Sequence, residues 1–221
     1  METIQEKILV SDSIGEISLE TYMLASPRLV MTLAHGAGAG MQHRFMASLS
    51  KALAEVNVAT VRFNFPYMEN GKKRPDVPAV AEKTIGAVLQ HAASKYPEIP
   101  LFAAGKSFGG RMTSQFLSKQ QFDRVRGVIF YGFPLHPAGT PAITRAEHLS
   151  NVKLPMLFLQ GTKDTLAENS LIESVCSKLQ TATLDKIEGA DHGFMISRKE
   201  RIDILVDRTV QWIESRFQLL G

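Results

Sequence analysis

LFAAGKSFGGRM, residues 101–112, places a serine between two glycines at the end of an apolar run. Residues 101–104 predict a strand, and residues 110–118 predict a helix. Gly105 and Gly109 stand two positions before and after Ser107, where the absence of a side chain lets a strand and a helix approach closely. The stretch is either a tight turn that happens to contain a serine or a turn that presents a hydroxyl for reaction.

The pentapeptide from Gly105 to Gly109 matches the pattern G-x-S-x-G. The pattern alone is weak evidence, but a predicted strand before it and a helix after it are the context that a nucleophile elbow requires. Such a turn places the Ser107 hydroxyl at the positive end of a helix, which favours developing negative charge. The Phe108 N–H points the same way and is a candidate oxyanion donor.

A serine needs a base, and the base needs an acid that fixes its tautomer. His192 lies in the glycine-flanked segment EGADHGF after a predicted strand, and Asp164 follows another strand in QGTKD. The order Ser107, Asp164, His192, each after a separate strand, predicts a catalytic triad at the carboxyl edge of the sheet. Asp191 and Glu168 remain alternative acids, and a structural turn and a surface-loop histidine are the non-catalytic interpretations.

Strand patterns alternate with helix patterns along the chain, which favours an α/β fold with a mostly parallel sheet of about seven or eight strands and helices on both faces. The first two strands are predicted to be antiparallel, and the final helix carries an apolar stripe that reaches Leu220. The predicted strands are 3–10, 15–24, 28–34, 58–63, 101–104, 125–131, 156–160 and 183–187. The predicted helices are 45–55, 79–95, 110–118, 145–149, 167–179 and 199–217.

Composition fits one domain spanning residues 1–221, because the 221 residues are 44% hydrophobic and no linker-like tract divides them. The net charge of +3 is spread along the chain, so no nucleic-acid partner is expected. No apolar run approaches the ~18 residues that span a bilayer. The start of the chain lacks a signal-peptide pattern and Cys176 is the single cysteine, which together suggest a cytoplasmic protein.

Five segments together resemble the α/β-hydrolase superfamily: LAHGAGAG, RFNFPYMENGKKRPD, GKSFGG, LFLQGTKD and GADHGF. The chain is most similar to the small dienelactone-hydrolase-like branch, and the second segment resembles the hydrolases of the testis-expressed protein 30 type. This resemblance implies an α/β-hydrolase fold, and the excursion of residues 132–154 is too short for a large cap domain. Dienelactone hydrolases use a cysteine nucleophile, whereas this chain has Ser107, so dienelactone itself is not the expected substrate.

The resemblance also places the second oxyanion donor in the loop after the third strand. The Ala37 N–H is the favoured donor, and the Gly38 N–H is the alternative. His35 is expected to order this loop or to contact substrate. Gly38, Tyr67 and Phe133 are further candidates for substrate contact, although core packing explains the two aromatic side chains equally well.

These observations predict a serine hydrolase that cleaves a small or medium carboxylic ester, or a thioester, through an acyl-enzyme. A peptidase of the same fold and a non-catalytic interaction module that keeps the fold are the alternatives. No cofactor or metal is expected, because the chain lacks HExxH and paired Cys/His spacing, and the glycines of residues 35–40 lack the G-K-[ST] of a phosphate-binding loop. The expected partner is a small-molecule ester, and the oligomeric state is left open.

Overall fold

The computed structural model describes residues 1–219, so Leu220 and the end of the predicted domain lie outside the described residues. Its main sheet has eight strands in the order β1-β2-β4-β3-β5-β6-β7-β8. The strands are β1 (Thr3–Ser11), β2 (Gly15–Tyr22), β3 (Leu29–Ala34), β4 (Val58–Phe63), β5 (Leu101–Lys106), β6 (Val125–Tyr131), β7 (Met156–Gly161) and β8 (Ala182–Ile187).

Strands β3 to β8 run parallel to one another, while β2 pairs antiparallel with both β1 and β4. This arrangement confirms the predicted α/β architecture, the antiparallel first pair of strands and the absence of a large cap. The excursion between β6 and β7 contains only a 3₁₀ helix, Thr144–Asn151. None of the helices in the described residues has the length and hydropathy needed to cross a membrane.

Helices cover both faces of the sheet. They are α1 (Arg44–Glu55), α2 (Pro66–Glu69), α3 (Pro78–Lys95), α4 (Phe108–Lys119), α5 (Asn169–Ser177) and α6 (Ile202–Phe217). Helices α3, α4 and α5 pack their apolar stripes into one hydrophobic cluster, and α1 and α6 pack theirs into the other. Both α2 and α3 begin with a proline, which is favoured in the first helical turn because the N–H it lacks has no partner there.

The continuous apolar run of β5 is explained by these two clusters. Leu101 and Ala103 point into the cluster with α4, whereas Phe102 and Ala104 point into the cluster with α1 and α6. Because side chains alternate across a strand, a strand buried on both faces needs apolar residues at every position. The stretch before Ser107 is therefore a central strand fixed from both sides.

The turn after β5 depends on the two glycines of the pentapeptide. Ser107 has φ 51° and ψ −116°, a conformation that non-glycine residues rarely adopt, and α4 begins at the next residue. A Cβ on Gly105 would overlap the backbone of Gly110, and a Cβ on Gly109 would overlap the carbonyl group of Ala34 at the end of β3. The glycines thus let β5, α4 and β3 meet backbone to backbone beneath the serine.

The prediction of the last helix was wrong at its start. Met195–Ile196 (β9) and Lys199–Glu200 (β10) pair as a small antiparallel hairpin, and the helix begins at Ile202. Ser197 and Arg198 form the turn of this hairpin with φ values of 48° and 66°. Two consecutive left-handed residues close a two-residue hairpin, which accounts for the late start of the helix.

We predict that Gly109→Ala destabilises the protein far more than Gly139→Ala. At position 109 the added Cβ strikes backbone, whereas at position 139 it meets no atom within 4 Å and only the positive φ of 72° is unfavourable. The expected losses in free energy of unfolding are about 3 kcal/mol or more for Gly109→Ala and about 1 kcal/mol for Gly139→Ala. Urea denaturation followed by circular dichroism measures both, and equal losses would contradict this account of the turn.

Candidate active site

The three predicted triad residues lie at one edge of the sheet. Ser107 follows β5, Asp164 follows β7 and His192 follows β8, and the carboxyl ends of these parallel strands face the same side. Ser107 and His192 both line a cavity of about 390 Å³. Asp164 lies behind the histidine, with its side chain 0% exposed.

Asp164 and His192 are joined by a hydrogen bond of 2.7 Å between Oδ2 and Nδ1. The same carboxylate accepts hydrogen bonds from Gln160 Nε2 at 2.6 Å and from the Leu166 N–H at 2.8 Å. Three donors hold the carboxylate in a fixed orientation, and charge-assisted hydrogen bonds of this kind are stronger than neutral ones. Fixing Nδ1 against Asp164 leaves the Nε2 of His192 for other partners.

Gln160 was not identified from the sequence. It is fully buried at the end of β7, and its Oε1 accepts a hydrogen bond of 2.9 Å from the Phe133 N–H while its Nε2 faces Asp164. The available signal was a polar residue closing the otherwise apolar strand MLFLQG. A buried amide in such a strand needs partners for both of its ends, and here one partner is the acid beside the histidine.

The alternative acids have other contacts. Asp191 Oδ1 accepts hydrogen bonds from the Gly193 N–H at 2.8 Å and the Met195 N–H at 2.9 Å, so it shapes the turn after His192. Glu168 is exposed and precedes the first residue of α5. Within residues 1–219, Asp164 is the carboxylate that contacts the His192 ring.

The N–H groups that the sequence suggests as oxyanion donors differ in their hydrogen bonds. The Gly38 N–H donates to Tyr67 Oη at 3.1 Å, so this alternative donor already has a partner. The N–H groups of Ala37 and Phe108 make no hydrogen bond to any described residue between 1 and 219. Ala37 lines the cavity beside Ser107, and Phe108 opens α4, where first-turn N–H groups lack helical partners.

His35 is a buried support for the loop that contains Ala37. Its Nε2 accepts a hydrogen bond of 3.1 Å from the Phe65 N–H, so the proton is on Nδ1, which donates to the Gly36 carbonyl at 2.8 Å. Burial lowers the pKa of His35 to about 4. The imidazole is therefore neutral near pH 7, and the hydrogen bonds show a positioning role.

The segment RFNFPYMENGKKRPD holds the same loop from the other side. Asn64 Oδ1 accepts a hydrogen bond of 2.9 Å from the Met41 N–H, and Tyr67 Oη contacts Gly36 and Gly38. Asp76 Oδ2 accepts from the Tyr67 N–H at 3.0 Å, which fixes the start of α2. The sequence pattern did not predict α2, because its four residues are too few to show a helical period.

The four candidates for substrate contact lie outside the cavity. Within residues 1–219, His35, Gly38, Tyr67 and Phe133 are absent from the lining of the cavity. The first three form the support of the oxyanion loop, and Phe133 packs in the core. The apolar wall of the cavity instead comes from three residues of α1 and the β7–α5 loop: Phe45, Met46 and Leu166.

The described residues offer no metal site, since no group of three His, Cys, Asp or Glu side chains within residues 1–219 is arranged to hold an ion. Cys176 is a free thiol buried in α5, and burial raises its pKa to about 12. This thiol is neutral near pH 7, so it is a packing residue rather than a second nucleophile.

Comparison with known families places the chain in a class. Residues 27–214 match the family model described as an alpha/beta hydrolase domain, and the protein therefore belongs to that family. This match confirms the resemblance drawn from the sequence motifs. The class it defines is that of hydrolases built on the α/β-hydrolase fold.

Solved structures show the same fold. A lidless α/β serine hydrolase from Xanthomonas campestris superposes with a TM-score of 0.76 at 19% identity, over 97% of this chain and 95% of that one. A dienelactone hydrolase from Anabaena variabilis gives 0.74 at 16% identity, over 97% and 99%. The esterase domain of a Rhodothermus marinus protein gives 0.74 at 13% identity, over 97% and 99%. These identities establish the shared fold.

We predict that His35 makes the protein less stable in acid. Its folded pKa of about 4 lies below the ordinary value of 6.5, so the unfolded chain binds an extra proton between these values. The stability that His35 contributes is complete above about pH 6.5 and falls as the pH drops to about 4, by up to about 1.4 kcal/mol per pH unit. His35→Asn, which cannot titrate, should reduce this slope.

Urea unfolding of wild type and His35→Asn at pH 4, 5, 6 and 7 measures the difference. The other titrating groups are common to both proteins, including His148, whose pKa burial also lowers to about 4. His35→Asn should therefore lose only the part of the pH dependence of the unfolding free energy that His35 causes. Identical slopes for the two proteins would show that His35 is not a buried neutral group.

Proposed function

We propose that the protein is a serine hydrolase that cleaves a small or medium carboxylic ester, or a thioester, and that residues 1–221 form one catalytic domain. The observation that carries the proposal is the 2.7 Å hydrogen bond that His192 Nδ1 donates to Asp164 Oδ2, with His192 and Ser107 lining the same cavity. Membership of the hydrolase family and the unpaired Ala37 and Phe108 N–H groups support it.

In the first step, His192 Nε2 takes the proton of Ser107 as Oγ attacks the carbonyl carbon of the ester. The carbonyl electron pair moves onto oxygen, and the Ala37 and Phe108 N–H groups hold this oxyanion. Asp164 stays ionised and stabilises the imidazolium. Ser107 Oγ has no hydrogen-bond partner within residues 1–219, and we expect its bond to His192 to form when substrate is bound.

In the second step, the tetrahedral intermediate collapses and the bond from carbon to the leaving oxygen or sulfur breaks. The His192 imidazolium gives its proton to the departing alcohol or thiol, which leaves an acyl group on Ser107. A water molecule then loses a proton to His192 and attacks the acyl carbon. The oxyanion that forms is held by the same two N–H groups. This second tetrahedral intermediate collapses, and the bond between its carbon and Ser107 Oγ breaks. The His192 imidazolium gives its proton to Oγ, which releases the carboxylic acid and restores the enzyme.

The cavity favours substrates of limited size. Its volume of about 390 Å³ lies near the lower end of ligand pockets, and Phe45, Met46 and Leu166 form an apolar wall suited to an acyl chain. His43 and Glu200 add polar groups to the same lining. This lining supports a short or medium acyl group rather than a long lipid chain.

We predict that a fluorophosphonate forms one adduct on the wild-type protein. Ser107→Ala should form none, because it lacks the nucleophile, and His192→Ala should react more slowly by about 10²- to 10⁴-fold, because it lacks the base. His91→Ala is the matched histidine control, since His91 lies on α3 and contacts Glu6 outside the cavity, and it should react at the wild-type rate. Intact-protein mass spectrometry measures all four.

An absence of adduct on folded wild type would overturn the proposal and favour a non-catalytic interaction module. If the adduct forms, p-nitrophenyl esters of increasing chain length and matching thioesters identify the acyl group. Hydrolysis should be fastest for short and medium chains, because the cavity of about 390 Å³ has little room for a long one. Faster turnover of peptide amides than of esters would instead identify a peptidase.

A further inference from the structure

Lys106, the residue immediately before Ser107, carries a buried amine that the proposed reaction does not use. The residue is 9% exposed and lines the same cavity as the serine and the histidine. Within residues 1–219 no carboxylate lies within ion-pair distance of its Nζ. Taking an ammonium out of water is costly unless other groups compensate, so its contacts need an explanation.

The compensating contacts come from the loop that carries His192 and from α1. Lys106 Nζ donates a hydrogen bond of 2.5 Å to the main-chain carbonyl of His192. It also lies 5.1 Å from the ring centroid of Phe194 and 5.6 Å from that of Phe45, which are themselves stacked. The strongest single contact is therefore the hydrogen bond to the backbone of the histidine.

The Lys106 side chain extends along the carboxyl edge of the sheet, from the end of β5 toward the loop after β8. β5 and β8 are separated by β6 and β7, so Lys106 extends past the end of β6 to reach the loop after β8. The residue at the end of β6 is Gly132, with φ 72°, and a Cβ there would lie 3.0 Å from Lys106 Nζ and 3.5 Å from the His192 ring. The glycine leaves the space that the amine and the imidazole share.

We propose that Lys106 is a positioning residue for the general base. Its amine holds the main chain of His192 in a fixed position relative to Ser107. Asp164 fixes the imidazole ring, and Lys106 fixes the backbone that carries it. Because Lys106 and Ser107 are adjacent in the same turn, the amine links the position of the base directly to that of the nucleophile. This inference rests on the proposed hydrolase function.

The protonation state of Lys106 makes its contact with the His192 backbone depend on pH. Burial lowers the pKa of Lys106 to about 8, and the charges of Asp164 and Asp191 oppose part of this effect. The amine is thus charged below about pH 8, where it binds the carbonyl and the two rings most strongly. The titratable groups that face it are Asp164, Asp191 and His192, and the same cavity is also lined by His43 and Glu200.

The test compares Lys106→Met with Lys163→Met. Methionine keeps an unbranched chain of similar length and removes the amine, so the variant loses the hydrogen bond to the His192 carbonyl while the side-chain volume changes little. Lys163 is exposed and adjoins Asp164 in sequence, so it is a matched control that removes a lysine charge beside the triad. Each protein is assayed by fluorophosphonate labelling and ester turnover between pH 6 and 10.

We expect Lys106→Met to lower kcat and the labelling rate about 10- to 100-fold at pH 7 with little change in KM, and Lys163→Met to match wild type. Wild-type activity should decline above about pH 8, as Lys106 loses its proton, and Lys106→Met should lack this decline. A folded Lys106→Met with wild-type rates at every pH overturns the inference. Absence of labelling in wild type itself would instead overturn the proposed function.

Hydrogen exchange of the wild-type protein tests the proposal even if Lys106→Met does not fold. The peptide containing residues 189–194 should lose protection between pH 7 and pH 9.5, after correction for intrinsic exchange, while a peptide from β5 keeps its protection. The loss follows from the weaker hydrogen bond of a neutral amine to the His192 carbonyl. Unchanged protection of residues 189–194 would contradict the role of Lys106.

Discussion

Backbone packing beneath Ser107 is the constraint on which the rest of the site depends. Gly105 and Gly109 allow β5, α4 and the end of β3 to meet without intervening side chains. At this contact Ser107 has a positive φ of 51° immediately before α4, and it lines the cavity. The proposed nucleophile is therefore placed by the sheet itself, and the other groups of the proposed site are arranged around it.

Separate supports then hold the groups around the serine. His35 and Tyr67 fix the loop that carries Ala37, while Gln160 and Asp164 fix the ring of His192 and Lys106 fixes its backbone. Each support is buried or half-buried and hydrogen-bonded, so little reorganisation is needed when a substrate enters. Preorganised donors of this kind are the usual source of oxyanion stabilisation in acyl transfer.

Local patterns were sufficient to predict the eight strands and the order of Ser107, Asp164 and His192, because strand alternation and glycine turns are encoded over a few residues. The cavity wall was not predictable in this way. Phe45 and Met46 line the cavity because α1 packs on the face of the sheet that it shares with α6, whereas Tyr67 and Phe133 are buried in the cluster on the opposite face. Long-range packing decides such positions, and Lys106 gave no local sign of its contact with His192, 86 positions away.

A crystal structure of the fluorophosphonate adduct tests the central claim most directly, because it shows the whole site around a tetrahedral centre. The account predicts phosphorus bonded to Ser107 Oγ, with its oxygen about 2.7–3.1 Å from the Ala37 and Phe108 N–H groups. His192 should face the adduct while remaining bonded to Asp164. An oxygen turned away from both N–H groups, or an adduct on another residue, would contradict the assignment of this site.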